Sequence, residues 1–384
     1  MRAVVLAVLF LLAGSVAAAT PEDRLSRVFE SIEANRVDEA LNRVDALIRE
    51  YPNFRLAYLV RGDLLLARAR PLQTFGNVEK TVPPEKVDGL RDEALARLRA
   101  LRDRPAEDRL PRAVLQLHPD QKHVLMVDSK RSRLYVFANA QGKPKLIADY
   151  YVTLGKNGVD KARQGDQKTP LGVYYVTANL PRKKLTDFYG AGAFPINYPN
   201  EWARRQGRNG HGIWLHGVPS AVYSRPPRAS DGCIVLANPD LEAVGRNVQV
   251  GMTPVIISDE IEWAEPAAVE AERATLATAV EQWRADWQSR DTEKYLAHYS
   301  ERFAAGGQNL KAWAEHKRKV NSAKAWIKVG VSRVAMFRYP RERDFVVVTF
   351  DQDYKSSGLS NVIKKRQYWV KEGAAWKIIY EGAG

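Results

Sequence analysis

The residues best suited to chemistry lie between Gly210 and Asn238. This stretch holds the only cysteine of the 384-residue chain, Cys233, and two of its six histidines, His211 and His216. A cysteine attacks as the thiolate, and a free thiol is mostly protonated near neutrality, so Cys233 needs a base or a positive field beside it. His216 is the candidate base. It ends the alternating segment Ile213-Trp214-Leu215-His216, which sends Trp214 and His216 to one face. Cys233 opens the next apolar segment after the loop 217–232, so two neighbouring strands would bring thiol and imidazole together. A backbone carbonyl or a carboxylate would then orient the other ring nitrogen. Gly232 lets the backbone approach a substrate, and the amides around Gly232 and Cys233 are candidates to receive an oxyanion. Ser230 and Asp231 complete this turn and are candidate substrate contacts. His211 is an alternative base, but Gly210 and Gly212 flank it on a loop, so its ring is less firmly placed. One cysteine and two histidines do not make a structural zinc set, so neither a metal nor a cofactor is expected. His118, His123, His298 and His316 read as surface or packing residues.

The N-terminus suggests the compartment. Arg2 precedes an apolar run from Ala3 to Ala13, then Ala17-Ala18-Ala19 and polar Thr20-Pro21-Glu22. That is the layout of a secretory signal peptide, and it is too short for a bilayer, which needs about 20 residues. Residues 1–19 are therefore expected to be removed on export to the periplasm. An exported chain with a single cysteine has no internal disulfide, so Cys233 is either an inert buried thiol or a reactive one. The formal charge is +14. Export points that charge away from nucleic acid and towards wall polymers, membrane surfaces or simple solubility.

At this length more than one domain is expected. Residues 20–110 read as helical. Leu25, Val28, Phe29 and Ile32 recur at helical spacing, as do Ala40, Leu41, Val44, Leu47 and Ile48, and Leu56, Leu59, Val60 and Leu64. The pattern looks like one tetratricopeptide-type pair, or a helical hairpin for packing or homodimerisation. A loop from Pro71 to Pro84 leads to a further helix over Glu85–Arg102. From 115 to 259 the apolar period is two, with strands expected at His123–Asp128, Arg133–Ala138, Lys145–Val152, Gly172–Thr177, Ile213–His216, Cys233–Leu236 and Thr253–Ile257. Asn238-Pro239-Asp240 reads as a helix start, with Asn238 as N-cap. Residues 265–384 give a long helix, two short ones, then strands at Trp326–Val334, Asp344–Tyr354, Lys364–Val370 and Ala375–Glu381. The expected class is a multidomain α+β protein: helices, a mostly-β middle domain and an α+β closing domain.

Several stretches together carry a family resemblance. His216-Gly217, then Ser230-Asp231-Gly232-Cys233-Ile234-Val235-Leu236-Ala237-Asn238, follows the order of the L,D-transpeptidase catalytic signature of the YkuD-type fold. Upstream, Leu154-Gly155-Lys156, Asp160-Lys161, Gly165-Asp166 and Thr169-Pro170-Leu171-Gly172-Val173-Tyr174 are similar to that family's entry segment. Phe194-Pro195-Ile196-Asn197-Tyr198-Pro199-Asn200 is similar to its Gram-negative branch. Residues 121–258 therefore resemble this domain. The resemblance implies that Cys233 attacks the carbonyl of the third residue of a peptidoglycan tetrapeptide stem, releasing D-alanine. His216 handles the proton, oriented by the Gly217 carbonyl. An amine acceptor gives a 3–3 cross-link, the transpeptidase outcome expected first. Water gives a tripeptide, the carboxypeptidase alternative. Ser230, Asp231, Gly232, His211, Tyr198 and Arg228 are carried as substrate-side candidates. Two positions depart from the pattern. The family's histidine before Gly-Cys is Asp231, and its arginine two residues after the cysteine is Val235; Arg225, Arg228, Arg204 or Arg205 are candidates to compensate. Residues 265–384 resemble the nuclear-transport-factor-2-like cone, with Trp283, Trp287, Tyr295, Tyr299, Trp313, Phe350, Trp369 and Trp376 at its spacing. That domain is expected to dock a wall or protein partner. The whole layout is similar to L,D-carboxypeptidases that trim wall stems in helical bacteria. A non-catalytic wall-binding scaffold is the remaining alternative.

Overall fold

The computed structural model describes residues 20–77, 84–342 and 344–384. The expected signal peptide lies outside the described residues. The chain divides into two compact units between residues 82 and 83.

The first unit is helical. Helix α1 (Pro21–Glu33) starts with a reciprocal cap: Thr20 Oγ1 accepts from the Asp23 amide at 3.1 Å, and the Asp23 carboxylate accepts from the Thr20 amide at 3.0 Å. It buries Leu25, Val28 and Phe29. Helix α2 (Val37–Glu50) buries Ala40, Leu41, Val44 and Leu47, and α3 (Arg55–Ala67) buries Leu56, Ala57, Val60 and Leu64. These are the faces the helical spacing marked. Each large side chain so buried contributes roughly 2 kcal/mol.

Helix α4 (Pro84–Arg102) groups with the second unit, not with α1–α3. The middle domain that follows is built on a five-stranded sheet. Its order is Lys143–Tyr151, Arg133–Ala140, His123–Asp128, Pro254–Ser258, Gly172–Tyr175. The pairing of Pro254–Ser258 with His123–Asp128 is parallel, with Val255 opposite Leu125; the other pairings are antiparallel. One face of this sheet packs Leu125, Val127, Val136 and Val255 against Phe194, Leu215 and Ile234 of a smaller four-stranded sheet. The other face packs Val124, Met126, Tyr135, Phe137 and Ile256 against Phe337, Phe345, Val347 and Tyr368 of the closing domain. Burial on both faces explains why His123–Asp128 reads as a continuous apolar run.

The closing domain places the long helix Pro266–Ser289 against a curved antiparallel sheet. That sheet runs Val114–Gln116, Ile327–Arg338, Phe345–Ser356, Leu359–Glu372, Ala375–Ala383. Trp283, Trp287, Tyr295, Tyr299, Phe350, Trp369 and Trp376 fill its core, with Trp313 against it. The strand Val114–Gln116 was not anticipated. It precedes the middle domain in sequence yet pairs with Ile327–Arg338, so the chain stitches the two domains together. Glu201 strengthens the junction by accepting from Arg366 at 2.6 Å and from Tyr368 Oη at 3.0 Å.

Candidate active site

The smaller sheet positions the candidate pair. The strand Trp214–His216 lies parallel to Ile234–Val235, with Leu215 opposite Ile234 and His216 opposite Val235. Residues paired across parallel strands point to the same face, and alternation repeats every second residue. Cys233 is two residues before Val235, so its side chain shares the face of His216.

Three residues shape the turn that carries the thiol. Ser230 is buried; its Oγ donates to the Cys233 carbonyl at 2.7 Å and accepts from the Gly232 amide at 3.1 Å. Gly232 has φ +121°, and a Cβ there would stand 2.7 Å from the Lys168 carbonyl oxygen, so only glycine fits without strain. The Cys233 thiol itself is half-buried and donates to the Gly212 carbonyl at 3.4 Å. Burial pushes the thiol up from its ordinary range and nearby Asp231 adds to this. The Trp214 backbone, Arg225 and Lys161 work in the opposite direction.

His216 is buried, and its Nδ1 lies 2.6 Å from the Gly217 carbonyl oxygen. That carbonyl only accepts, so Nδ1 carries the proton and Nε2 is left as the base. Burial is the main cause holding the imidazole down, to about 4; the Gly217 contact raises it and the charge of Arg225 lowers it further. Near neutrality the two groups are thus a thiol and a neutral imidazole. Phe188 and Tyr189 flank the ring, with centroids 5.8 and 5.2 Å away.

Asn238 fixes the Gly217 turn, and its role differs from the one expected. Its sequence context predicts a helix N-cap, but the helix Asn238–Gly245 has Ala237 in that position. The Asn238 side chain instead reaches back across the sheet. Its Oδ1 accepts from the amides of Ala191 at 2.9 Å and Val218 at 3.2 Å, and its Nδ2 donates to the Val218 carbonyl at 2.9 Å. A Cβ on Gly217 would meet Asn238 Oδ1 at 2.1 Å, so glycine and asparagine fit as a pair.

The remaining candidates separate. The Gly232 amide is engaged by Ser230, so an oxyanion would have to displace that bond. Asp231 is exposed and pairs with Lys156 at 2.9 Å. His211 is exposed on the loop between Gly210 and Gly212, both at positive φ. Tyr198 is buried, its Oη donating towards the carbonyls of Lys161 at 3.2 Å and Asn209 at 3.1 Å, which makes it a brace between two loops rather than a substrate contact. Arg228 is exposed on the short strand Arg228–Ser230, opposite Leu154, and borders a groove with Ser129, Lys130 and Glu260. The arginine whose charge acts on both His216 and Cys233 is Arg225. Val235, where the family places an arginine, is buried in the strand beside His216.

Comparison with known proteins places the middle and closing domains. Residues 122–257 match the model of the L,D-transpeptidase catalytic domain, YkuD, and residues 275–382 match that of the Cds6 C-terminal NTF2-like domain. Among solved structures, Bd1075 of Bdellovibrio bacteriovorus is 32% identical over 72% of this chain and 98% of its own, with a TM-score of 0.63. The helical cell shape determining protein Pgp2 from Campylobacter jejuni is 26% identical over 71% of this chain and 95% of its own, with a TM-score of 0.61. No curated protein matches the chain. The chain belongs to the L,D-transpeptidase (YkuD) family of peptidoglycan-modifying enzymes, in a form that carries a C-terminal NTF2-like domain.

Proposed function

We propose that the protein is an exported cysteine enzyme that cleaves the bond before the terminal D-alanine of peptidoglycan tetrapeptide stems, with water as the usual acceptor. The observation that carries this reading is that Cys233 leads directly into Ile234–Val235, the strand parallel to Trp214–His216, with Nδ1 of His216 committed to the Gly217 carbonyl.

The chemistry follows from that placement. As Sγ of Cys233 bonds to the carbonyl carbon of the third stem residue, Nε2 of His216 takes the thiol proton. The tetrahedral intermediate collapses by breaking the C–N bond to D-alanine, whose amine takes the proton from Nε2. The thioester remains. A water then gives its proton to Nε2 and its oxygen to the carbonyl carbon. The C–S bond breaks, and the cysteine sulfur recovers the proton. The product is a tripeptide stem.

We rank water above an amine because the three-part layout resembles L,D-carboxypeptidases that trim wall stems. Likeness to the Campylobacter cell shape determining protein extends through the closing domain, beyond the catalytic module shared by the wider family. The position where the family's arginine follows the cysteine holds buried Val235. Transfer to an amine of a second stem, the transpeptidase reading, uses the same first half-reaction and stays as the second reading. Incubation of the mature protein with disaccharide-tetrapeptide, with products resolved by mass, separates them. Tripeptide and free D-alanine without dimer support the proposal; 3–3 dimers as the main product would replace it with the transpeptidase reading. The absence of both products would remove both readings.

A further inference from the structure

Arg225 stands out in the site because its charge has no ion-pair partner among the described residues. It is half-buried, and its guanidinium carbon sits 5.0 Å from the centroid of the Phe188 ring, which itself flanks His216. A guanidinium half-withdrawn from water with no ion-pair contact is costly; Asp231, itself paired with Lys156, acts on it only at a distance, and its charge also opposes protonation of the neighbouring base. Such a group is worth keeping where an anion arrives with the substrate.

The backbone that carries it is held on three consecutive residues. The Arg225 carbonyl accepts from Tyr151 Oη and Thr153 Oγ1, each at 2.9 Å. Ser224 Oγ donates to Glu93 Oε1 of helix α4 at 2.6 Å. Pro226 packs on Gly89 of the same helix, where a Cβ would stand 2.7 Å from Pro226 Cγ. Glu93 also accepts from Arg97 at 2.9 Å, and Arg97 lies 4.0 Å from the ring centroid of Tyr151. Burial pushes the Glu93 carboxyl up, against the hydrogen bond from Ser224, and pushes the Arg97 guanidinium down, against the nearby Tyr151. Helix α4 precedes the matched catalytic domain, yet two of the three tethers on residues 224–226 come from it.

We propose that Arg225 is the receptor for the free terminal carboxylate of the donor stem peptide, and that helix α4 is the element that positions it. The assignment rests on the proposed function. In a peptide cleaved before its last residue, that carboxylate lies two bonds from the departing nitrogen. A cation held over Phe188, the ring that flanks His216, is at the right place to hold it. A carboxylate there would also neutralise the charge that disfavours proton uptake by His216. The ligand class is therefore a peptide ending in a free α-carboxylate, and a peptide amide should be a poor substrate.

The test compares kcat/KM for tetrapeptide stems ending in D-alanine and in D-alaninamide. Wild type should prefer the acid by about 30- to 100-fold, the range of a charge-assisted bidentate contact. Arg225→Gln should cut turnover of the acid by a similar factor and bring the acid-to-amide ratio near one. Arg225→Lys should recover part of that preference. Ser224→Ala, which unties the loop from Glu93, should lower the ratio through a higher KM for the acid. An equal loss on acid and amide in Arg225→Gln would overturn the assignment. So would a wild-type ratio near one. Failure of wild type to release alanine or alaninamide from either peptide would instead overturn the functional reading, and the assignment with it. A wild-type urea midpoint in each variant shows that the fold is intact.

Discussion

The acid limb of the pH–rate profile follows directly from the burial of His216. An exposed histidine titrates near 6.5, whereas burial holds His216 down to about 4. If His216 is the base, the free enzyme is active while Nε2 is unprotonated, so activity is present above that value and lost as pH falls through it. At pH 5 a base of pKa 4 is about 90% neutral, whereas one of pKa 6.5 is only about 3% neutral. Relative to pH 7, kcat/KM at pH 5 should thus be retained at about 0.9, against roughly 0.04 for an unperturbed histidine, a contrast of about twentyfold. The assay is D-alanine release at substrate well below KM, from pH 3.5 to 8 at constant ionic strength. kcat/KM is the right quantity because it reports the ionisations of the free enzyme. An acid limb centred near 6.5 would refute the reasoning, since either His216 is solvated in solution or another group is the base. The thiol bears on the other side. Because burial raises Cys233, no thiolate–imidazolium pair forms at rest, and attack must be coupled to proton transfer to Nε2.

Two other predictions concern the supports of the pair. Asn238→Ala removes the three bonds that hold the Gly217 turn and should lower kcat by about 10- to 100-fold with little change in KM, read from steady-state kinetics, because ring orientation is lost while binding is not. The depressed His216 also makes stability depend on pH. The unfolded chain takes up a proton near 6.5 and the folded one only near 4, so this contribution is fully present above 6.5 and lost as pH falls from there to 4, amounting to about 3 kcal/mol. Urea midpoints at pH 7 and 4.5 should fall further for wild type than for His216→Gln; equal falls would contradict it.

The candidate pair, Cys233 and His216, was legible because its signals are local. A lone cysteine after Ser-Asp-Gly, an alternating strand ending in histidine and the loop between them are all consecutive residues. Strand adjacency then needed only the usual preference for neighbouring segments to pair. The closing domain was legible for a similar reason, since its aromatic residues repeat along a helix and strands that are continuous in sequence. What was not legible depends on distant contacts. Asn238-Pro239-Asp240 carries a true helix-start signal, but nothing local says that the asparagine is taken by a turn twenty residues earlier. Tyr198 and Ser230 are polar residues near the motif, and only burial shows that they brace loops instead of facing substrate. Arg225 and Arg228 share one basic loop, and their separation into a site residue and a surface residue is set by the tethers at Tyr151, Thr153 and α4. Val114–Gln116 is too short to announce itself as a strand, and its partner lies more than two hundred residues away.

The central claim is that Cys233 forms an acyl-enzyme with the third residue of the stem. The most direct measurement is to quench the protein in acid during turnover of disaccharide-tetrapeptide and to determine the mass of the intact chain and of its Cys233 peptide. The account predicts an adduct of the substrate less D-alanine, confined to the Cys233 peptide, cleaved by hydroxylamine as a thioester and absent from Cys233→Ala. D-alanine release that persists in Cys233→Ala, or an adduct on any other residue, would contradict it.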